Sequence, residues 1–421
     1  MNTQKVLQEV KKEIAPEKSI ILEIKKGTKK ITEELSSRIR GKKLIARVFV
    51  GGSFAKDTVI KKKNYDVDIF VRFDKKYEDW EISGYLEKIL SGMNAEKVHG
   101  SRDYFMIKRG NVIFEIIPVR NISKPREAVN VADLSYFHVS YVRKKIAKHK
   151  KLADEIRLAK TFCYAQKCYG AESYIKGFSG YALELLIIHY GSFLKFIKEV
   201  SKIKEKVIID PEQHYKNKKI ISLDMNESKL KSPIVFVDPT FKERNALAAL
   251  SDETFDKFKN SCSKFLKNPS EEFFIMKEFS LSDFEKYSEK NKLESLKINI
   301  STDRQEGDIA GTKLLKFSNM LEEKMEKYFE IKKKEFVYED KKSADVYLAF
   351  KPRKEIILRG PSVKLPEFSK AFKAEHKNIF EKKGILFARE KVNFTGKEFV
   401  ENFKEKYSKL IADMGVTELN V

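Results

Sequence analysis

Two aspartates in an apolar run, and a glycine–serine turn upstream of them, are spaced so that they could do chemistry together. Asp66 and Asp68 lie two residues apart in YDVDIFVRF (65–73), and the turn Gly-Gly-Ser (51–53) ends the preceding apolar run. Side chains two apart on a strand project from the same face, so both carboxylates point the same way. The turn can present backbone N–H groups to a phosphate at the start of a short helix. Carboxylates beside a phosphate cradle are what two-metal phosphoryl transfer requires, and the stretch predicts a nucleotidyltransferase active site.

A third carboxylate, Glu115, lies in the apolar run NVIFEIIPV (111–119). This run and the preceding DYFMIKRG (103–110) predict a hairpin that turns at Gly110 and Asn111. Glu115 is then either an edge residue that faces water or a third carboxylate on the strand next to the two aspartates. Burying like charges together is destabilising, and a bound metal ion would offset the repulsion. We therefore favour the interpretation in which Glu115 is the third carboxylate beside the two aspartates.

The composition indicates a globular protein with a polyanionic partner. The chain has 421 residues, of which 42% are hydrophobic and 12% aromatic, enough for two to four domains with real cores. Lys and Arg number 85 against 62 Asp and Glu, a net charge of +23. A lysine-rich surface can serve solubility alone, but this excess together with the aromatic content favours nucleic acid.

The three cysteines, Cys163, Cys168 and Cys262, have neither disulfide nor zinc spacing and are expected to be reduced thiols. No run of eighteen apolar residues occurs, and the N-terminus lacks the core of a signal peptide. We therefore expect a cytoplasmic protein without a membrane partner.

Hydrophobic periodicity predicts a helical start, a mixed catalytic region, a mostly helical middle and an α+β end. The predicted helices are 2–14, 18–40, 79–90, 179–200, 308–330 and 396–413, with one more opening in 242–250. The predicted strands are 44–50, 66–73, 103–110, 111–119, 207–210, 235–239, 296–300, 346–350, 355–361 and 385–390. Residues 284–291 are expected to be a charged joint.

Besides the Gly-Ser turn and the Asp-x-Asp pair, four further stretches of the sequence resemble a known family. They are DLSYFHVSYV (133–142), EIRLAKTFCYAQKCYGAESYIKGFSGYALELLIIHYGSF (155–193), VDPTFKERNALAAL (237–250) and RGPSVKLPEFSKAFKAEHKNIFEKKGILFARE (359–390). The chain resembles the archaeal class I CCA-adding enzymes, which are tRNA nucleotidyltransferases. The resemblance implies an α+β fold with a polymerase-β-like nucleotidyltransferase head, a helical neck, a body and an α+β tail. The implied ranges are head 1–130, neck 131–205, body 206–270 and 370–421, and tail 271–369.

The resemblance also implies an activity and roles for individual residues. The activity is template-independent addition of C, C and A to the 3′ end of tRNA from CTP and ATP, with Mg²⁺ as cofactor. The tRNA would be bound by its acceptor stem and TΨC arm. The protein could also form a homodimer. Asp66, Asp68 and Glu115 would be the catalytic and metal-binding residues. The implied nucleotide-binding residues are Gly52, Ser53, Lys56, His138, Lys160, Tyr169 and Arg244.

Two residues depart from the family's pattern. Glu115 stands where the family usually has Asp, and its carboxylate lies a methylene further out. Lys56 stands where the family usually has Arg, and because a lysine lacks the bidentate fork, we expect it to bind a triphosphate less tightly. Neither change removes the chemistry.

Other interpretations stay open from the sequence. The chain could be another template-free transferase of the poly(A)- or uridine-adding type, or a tRNA-binding protein without catalysis. Lys160 could be a solvent-exposed residue of a helix, and Tyr169 could only cover the hydrophobic core. His138 could be a core histidine whose hydrogen bonds are satisfied. Arg244 is expected near a helix start, where a cation is disfavoured, which supports a ligand role.

Overall fold

The computed structural model describes residues 2–217, 220–304, 306–339 and 341–421. The chain divides into two compact units, with the boundary between Lys277 and Glu278. The predicted body segment 206–270 lies in the first unit and segment 370–421 in the second. The finer division into head, neck, body and tail remains a prediction.

The first unit combines a mixed sheet with a helical region. Its elements are α1 (Thr3–Ile14), α2 (Lys18–Gly41), β1 (Ala46–Val50), α3 (Gly52–Ala55), β2 (Tyr65–Phe73), α4 (Ile82–Leu90), β3 (Glu96–Val98), β4 (Tyr104–Arg109), β5 (Val112–Arg120), α5 (Ser135–Lys148), α6 (Leu152–Ala165), α7 (Gly180–Tyr190), α8 (Phe193–Val200), β6 (Val207–Ile209), α9 (Ile221–Asp224), α10 (Glu227–Leu230), β7 (Ile234–Asp238), β8 (Phe241–Asn245) and α11 (Asp252–Lys267).

The sheet that carries the aspartates has the strand order β1-β2-β5-β4-β3. β2 and β5 pair in parallel, and the other pairs are antiparallel. Val67, Ile69 and Val71 are fully buried in the core that α2 and α4 share with the sheet. The intervening residues of β2 therefore project from the opposite face, which is where Asp66 and Asp68 lie.

The helical region of the first unit has an aromatic core. The rings of Phe162, Phe193 and Phe265 meet there within 6.3 Å of one another and are fully buried. Cys163, Cys168 and Cys262 are buried in the same core as free thiols, as predicted. This core holds α6, which carries the predicted site residue Lys160, and the neighbouring helix α7.

The second unit is an α+β unit, as predicted for the end of the chain. Its elements are α12 (Leu281–Lys290), β9 (Glu294–Ser301), α13 (Asp308–Met325), β10 (Phe329–Tyr338), β11 (Ser343–Pro352), β12 (Glu355–Ser362), α14 (Pro366–Glu375), β13 (Asn378–Lys382), β14 (Ile385–Lys391), α15 (Gly396–Lys406), α16 (Ser408–Asp413) and β15 (Glu418–Asn420). They form a four-stranded sheet, β10-β11-β9-β15, and a three-stranded sheet, β12-β14-β13.

Most predicted elements are confirmed, including the first two helices and the hairpin at Gly110, but two long helices are each divided. The helix predicted over 179–200 is two helices, because Gly191 has φ 79° and its N–H caps α7 at the Ile187 carbonyl. The Ser192 side chain then caps α8 by accepting from the Lys195 N–H. Residues 396–413 likewise form two helices, α15 and α16.

Two predictions of element type are wrong. Residues 242–245, expected to open a helix, belong instead to strand β8, which pairs with β7. The Asn245 side chain stabilises this strand by accepting from the backbone N–H groups of Phe236 and Leu247, both at 2.9 Å. The charged joint expected over 284–291 lies mostly in α12, whose Phe284 is buried. Among the described residues no helix is long and apolar enough to cross a membrane.

Two glycines in helices give a matched test of how closely α2 packs on the sheet. A Cβ on Gly27 of α2 would lie 2.8 Å from the ring of the buried Phe114, whereas nothing lies within 4 Å of the same position on Gly84 of α4. Ala is preferred over Gly inside a helix by about 1 kcal/mol. We expect Gly84→Ala to raise the free energy of unfolding by about that amount and Gly27→Ala to lower it. Urea unfolding followed by circular dichroism measures both, and equal stabilisation would contradict the close packing.

Candidate active site

Strands β2 and β5 bring the three predicted carboxylates together. In their parallel register Asp68 is paired with Glu115, and Asp66 lies two residues earlier on the same face. Of the two interpretations of Glu115, the one that puts it on the strand next to the aspartates is therefore confirmed. The carboxylate cluster, defined as Asp66, Asp68 and Glu115, lies at one end of this face.

The glycine–serine turn lies directly against the carboxylate cluster. The Gly51 N–H donates to the Asp68 carbonyl at 2.8 Å, and α3 begins at the next residue. Gly52 has φ 62°, and a Cβ at this position would collide with the Asp68 carboxylate. Only glycine fits here, because the backbone is left-handed and the space is already filled. The turn and the carboxylates thus form one site, as predicted.

The carboxylate cluster carries negative charge that no described side chain neutralises by direct contact. Burial, together with the negative charges of Asp68 and Asp66, raises the pKa of Glu115 to about 8. Burial also raises the pKa values of Asp66 and Asp68. Among the described residues the three carboxylates form no ion pair and no hydrogen bond with another side chain. A bound cation would offset this repulsion.

The donor set fits a hard divalent cation that also takes ligands from a substrate. Within the described ranges no three His, Cys, Asp or Glu side chains are arranged to enclose a metal ion by themselves. Mg²⁺ seldom uses such a cage, since it usually binds one or two carboxylates together with water and substrate phosphates. Oxygen donors of like charge around an open position are consistent with that mode of binding.

Two predicted phosphate-binding lysines are held by a buried glutamate that the sequence analysis missed. Glu184 of α7 is fully buried and accepts from Lys56 Nζ at 2.6 Å and from Lys160 Nζ at 2.9 Å. The Thr58 hydroxyl joins them, accepting from Lys160 and donating to Glu184. Although burial acts to raise the pKa of Glu184, the two lysines lower it below its ordinary value. We call these four residues the lysine cluster.

A narrow cleft connects the lysine cluster to the carboxylates. Ser53, Asp66, Lys160 and Tyr169 all line it, so it unites predicted residues from β2, α3 and the helical region. The Tyr169 ring stacks on Tyr164 with centroids 3.9 Å apart, so Tyr169 is not only a core cap. The cleft has the combination of carboxylates, cations and an aromatic wall that a nucleotide needs.

The remaining two predicted residues form a second cluster around Asp238. His138 Nε2 lies 3.1 Å from Asp238 Oδ2, and Arg244 Nη1 donates to the same oxygen at 2.8 Å. The Tyr181 hydroxyl donates to Oδ1 at 3.1 Å, and its ring stacks on His138. Burial acts to raise the pKa of Asp238, yet His138 and Arg244 hold it well below its ordinary value. His138 is therefore a buried histidine held beside a carboxylate, and burial lowers its pKa.

The position of Arg244 corrects part of the sequence argument. Arg244 lies on strand β8, so the dipole of a helix start has no bearing on it. What holds the guanidinium is the buried carboxylate of Asp238 at the end of β7. Glu184 and Asp238 both had a readable signal, since each is a lone acid in an apolar run, LELLI (183–187) and IVFVD (234–238).

Family models match the two parts of the first unit separately. Residues 1–151 match the Second Messenger Oligonucleotide or Dinucleotide Synthetase domain, and residues 154–275 match the second domain of tRNA nucleotidyltransferase. Among solved structures, the chain is similar to the RNA terminal uridylyl transferase Cid1, with a TM-score of 0.51 and 14% identity over 65% of this chain and 98% of that one. The fold and site thus define a polymerase-β-like nucleotidyltransferase.

Sequence relatives narrow this class further. The CCA-adding enzyme of Nanoarchaeum equitans is 38% identical over 282 residues, which are 66% of this chain and 67% of the relative. That of Methanocaldococcus jannaschii is 31% identical over 289 residues, 65% of this chain and 62% of the relative. The chain belongs to the family of CCA-adding enzymes, the tRNA nucleotidyltransferases that complete the 3′ end of tRNA without a template.

The lysine cluster makes a prediction about stability. Glu184→Gln would leave two buried ammonium groups without a carboxylate, and breaking such a pair costs about 3–5 kcal/mol. The control Glu199→Gln removes the carboxylate of an exposed pair with Lys202, for which we expect about 0–1 kcal/mol.

Urea unfolding measures both variants of this test. Adding Lys160→Met to Glu184→Gln removes one of the uncompensated cations and should recover part of the loss, which a double-mutant cycle quantifies. Equal effects of the two glutamine variants would show that the buried carboxylate does not hold the cluster together.

Proposed function

We propose that this chain adds C, C and A to the 3′ end of tRNA from CTP and ATP by in-line nucleotidyl transfer at the carboxylate cluster, releasing pyrophosphate. The observation that carries the proposal is the parallel register that joins Asp68 to Glu115 beside the Gly51–Ser53 turn. Poly(A)- or uridine-adding activity and tRNA binding without catalysis are the alternatives.

Asp66, Asp68 and Glu115 would hold the divalent metal, with Mg²⁺ as the proposed ion. When bound, such ions lower the pKa of the attacking hydroxyl and stabilise charge on the leaving phosphate. The longer Glu115 side chain is compatible with this role, because its strand lies directly beside Asp68. The like charges of the three carboxylates supply the electrostatic preference for a cation.

The triphosphate would lie in the cleft between α3 and α6. The turn at Gly52 and Ser53 would bind phosphate oxygens through its backbone N–H groups. Lys160 and Tyr169 line the wall of the cleft. Lys56 is buried and fixed by Glu184, so it contributes a charge at a set position. Its lack of a bidentate fork matters less when the ammonium is already oriented by a carboxylate.

The base would be read by Arg244, oriented through Asp238. A guanidinium has five N–H donors, and Asp238 accepts from Nη1, which leaves donors for the acceptors on a base edge. His138 supports the same carboxylate and stacks on Tyr181. Asp238 therefore acts as the positioning residue of this pocket.

Binding of tRNA would depend on phosphate contacts and on the shape of the acceptor stem and TΨC arm. The net charge of +23 supports such a partner, and its affinity should fall steeply with salt. A cytoplasmic location and a homodimer are part of the same proposal, and light scattering of the purified protein tests the latter.

The proposal is tested by incubating the full chain and Mg²⁺ with a tRNA transcript that lacks CCA. We expect two additions with CTP alone and three with CTP and ATP together, resolved on a sequencing gel. Long homopolymeric tails would point to the poly(A)- or uridine-adding class. Absence of extension would leave tRNA binding without catalysis.

The matched control is Asp68→Asn, which keeps the shape of the side chain. It should abolish extension while the affinity for tRNA, measured by fluorescence anisotropy, stays within about twofold of the wild type, since it removes one group from the site. Full turnover by this variant would contradict the role of the carboxylate cluster.

The ionisation of Lys160 predicts a pH dependence of nucleotide binding. Burial lowers the pKa of Lys160 to about 8, although Glu184 acts to raise it. The ammonium is charged below that pH and loses its charge as the pH rises through it. The KM for CTP should therefore rise above pH 8, approaching roughly tenfold per pH unit.

The control for this prediction is Lys160→Met, which lacks the titrating group. Its KM for CTP should be high throughout and change little between pH 7 and 9.5. An unchanged rise in KM in this variant would assign the pH dependence to another group.

A further inference from the structure

The face of the sheet that carries the carboxylate cluster continues beyond it with side chains that the proposed chemistry leaves without a role. Asp68, Phe70 and Arg72 alternate along β2 on this face. The antiparallel register with β1 places Phe49 opposite Phe70 and Arg47 opposite Arg72. The face therefore runs from carboxylates, through an aromatic pair with centroids 5.8 Å apart, to two arginines.

The two arginines form a like-charged pair that no acid relieves. Like charges directly opposite each other on neighbouring strands are destabilising. Among the described residues Arg47 and Arg72 have no ion pair. With Arg40 they line a groove of about 480 Å³ whose one acid, Asp74, pairs with none of them. The sheet therefore keeps an unfavourable concentration of positive charge that an anion would relieve.

An aromatic ring lies beside this charge. The Arg72 guanidinium lies over the ring of Tyr136 at 4.1 Å, and the Phe49 ring meets Tyr136 at 5.2 Å. Tyr136 lies in the first turn of α5 and is 40% exposed, so one part of its ring remains accessible. Guanidinium groups combined with exposed aromatic rings bind single-stranded nucleic acid, where phosphates meet the cations and bases stack on the rings.

We propose that Arg47, Arg72 and Tyr136 form a binding site for the RNA strand behind its 3′ end. The arginines bind its phosphodiesters, and a base of the strand stacks on Tyr136. This inference rests on the proposed function only in taking tRNA as the RNA. The four residue steps from Asp68 to Arg72 span roughly 13 Å of strand, so the site contacts nucleotides that precede the reacting end.

The experiment compares three full-length variants in binding to the tRNA transcript without CCA. Arg47→Gln/Arg72→Gln removes both charges of the site, and Tyr136→Leu removes the ring. The control Lys108→Gln/Arg109→Gln removes two charges from β4 in the same sheet. Fluorescence anisotropy gives the Kd at several salt concentrations, and steady-state kinetics at saturating tRNA gives the KM for CTP.

The arginine double variant should bind tRNA about tenfold more weakly, with a salt slope smaller by about 1.4, the loss of two phosphate contacts to a single strand. Tyr136→Leu should weaken binding by a few fold with the salt slope unchanged. The melting temperature of the arginine variant should be unchanged or higher, because a repulsive pair is removed. The control double variant should lose clearly less affinity.

Two outcomes would overturn the inference. Equal loss of affinity in the control would show that only general surface charge is involved. A raised KM for CTP with unchanged tRNA affinity would assign the arginines to the nucleotide triphosphate. If the wild type binds tRNA but does not extend it, the arginine site can still be confirmed while the proposed function fails.

Discussion

The structure of the catalytic face depends on the parallel pairing of β2 with β5. This pairing places Glu115 beside Asp68, so two acids that are 47 positions apart in sequence share one end of a sheet. The arrangement is electrostatically unfavourable, because burial and mutual repulsion raise the pKa of Glu115 to about 8. The hydrophobic face beneath, with fully buried Val67 and Ile69, holds the strands in register despite that cost.

Lys56 and Lys160 lie near enough to Asp68 to lower its pKa, but both form their ion pairs with Glu184 instead. Both ammonium groups bind the Glu184 carboxylate within 2.9 Å. A buried carboxylate between two lysines satisfies the charges that helices α6 and α7 and the loop after α3 bring together. The carboxylate cluster consequently has no cationic side chain paired with it, while the lysines keep a fixed position beside the cleft. The same design recurs at Asp238, which fixes His138 and Arg244.

The sequence predicted the parts of the site that lie close together in the chain. The spacing of Asp66 and Asp68, the turn at Gly52 and the apolar strand around Glu115 have period-2 or turn signals that do not depend on tertiary context. The partners Glu184 and Asp238 could not be paired with their cations from sequence, because those contacts join residues as far apart as 128 positions. The misassigned segment 242–250 is a case of tertiary context overriding local pattern, since β8 is stabilised by Asn245 and by pairing with β7.

The distribution of charge along one face of the sheet gives a physical reason for the direction in which an RNA strand would lie on it. Acids occupy the end of β2 near Asp68, and Arg72 with its neighbour Arg47 occupies the other end. A polyanionic strand is repelled by the first end unless metal ions are bound there, and it is attracted by the second at all times. RNA would therefore bind first at the arginine end and reach the carboxylates only when bound cations have neutralised them. The order of charges on this face thus favours contact between an RNA 3′ end and the carboxylates when cations are bound to them. It disfavours the same contact when no cation is bound.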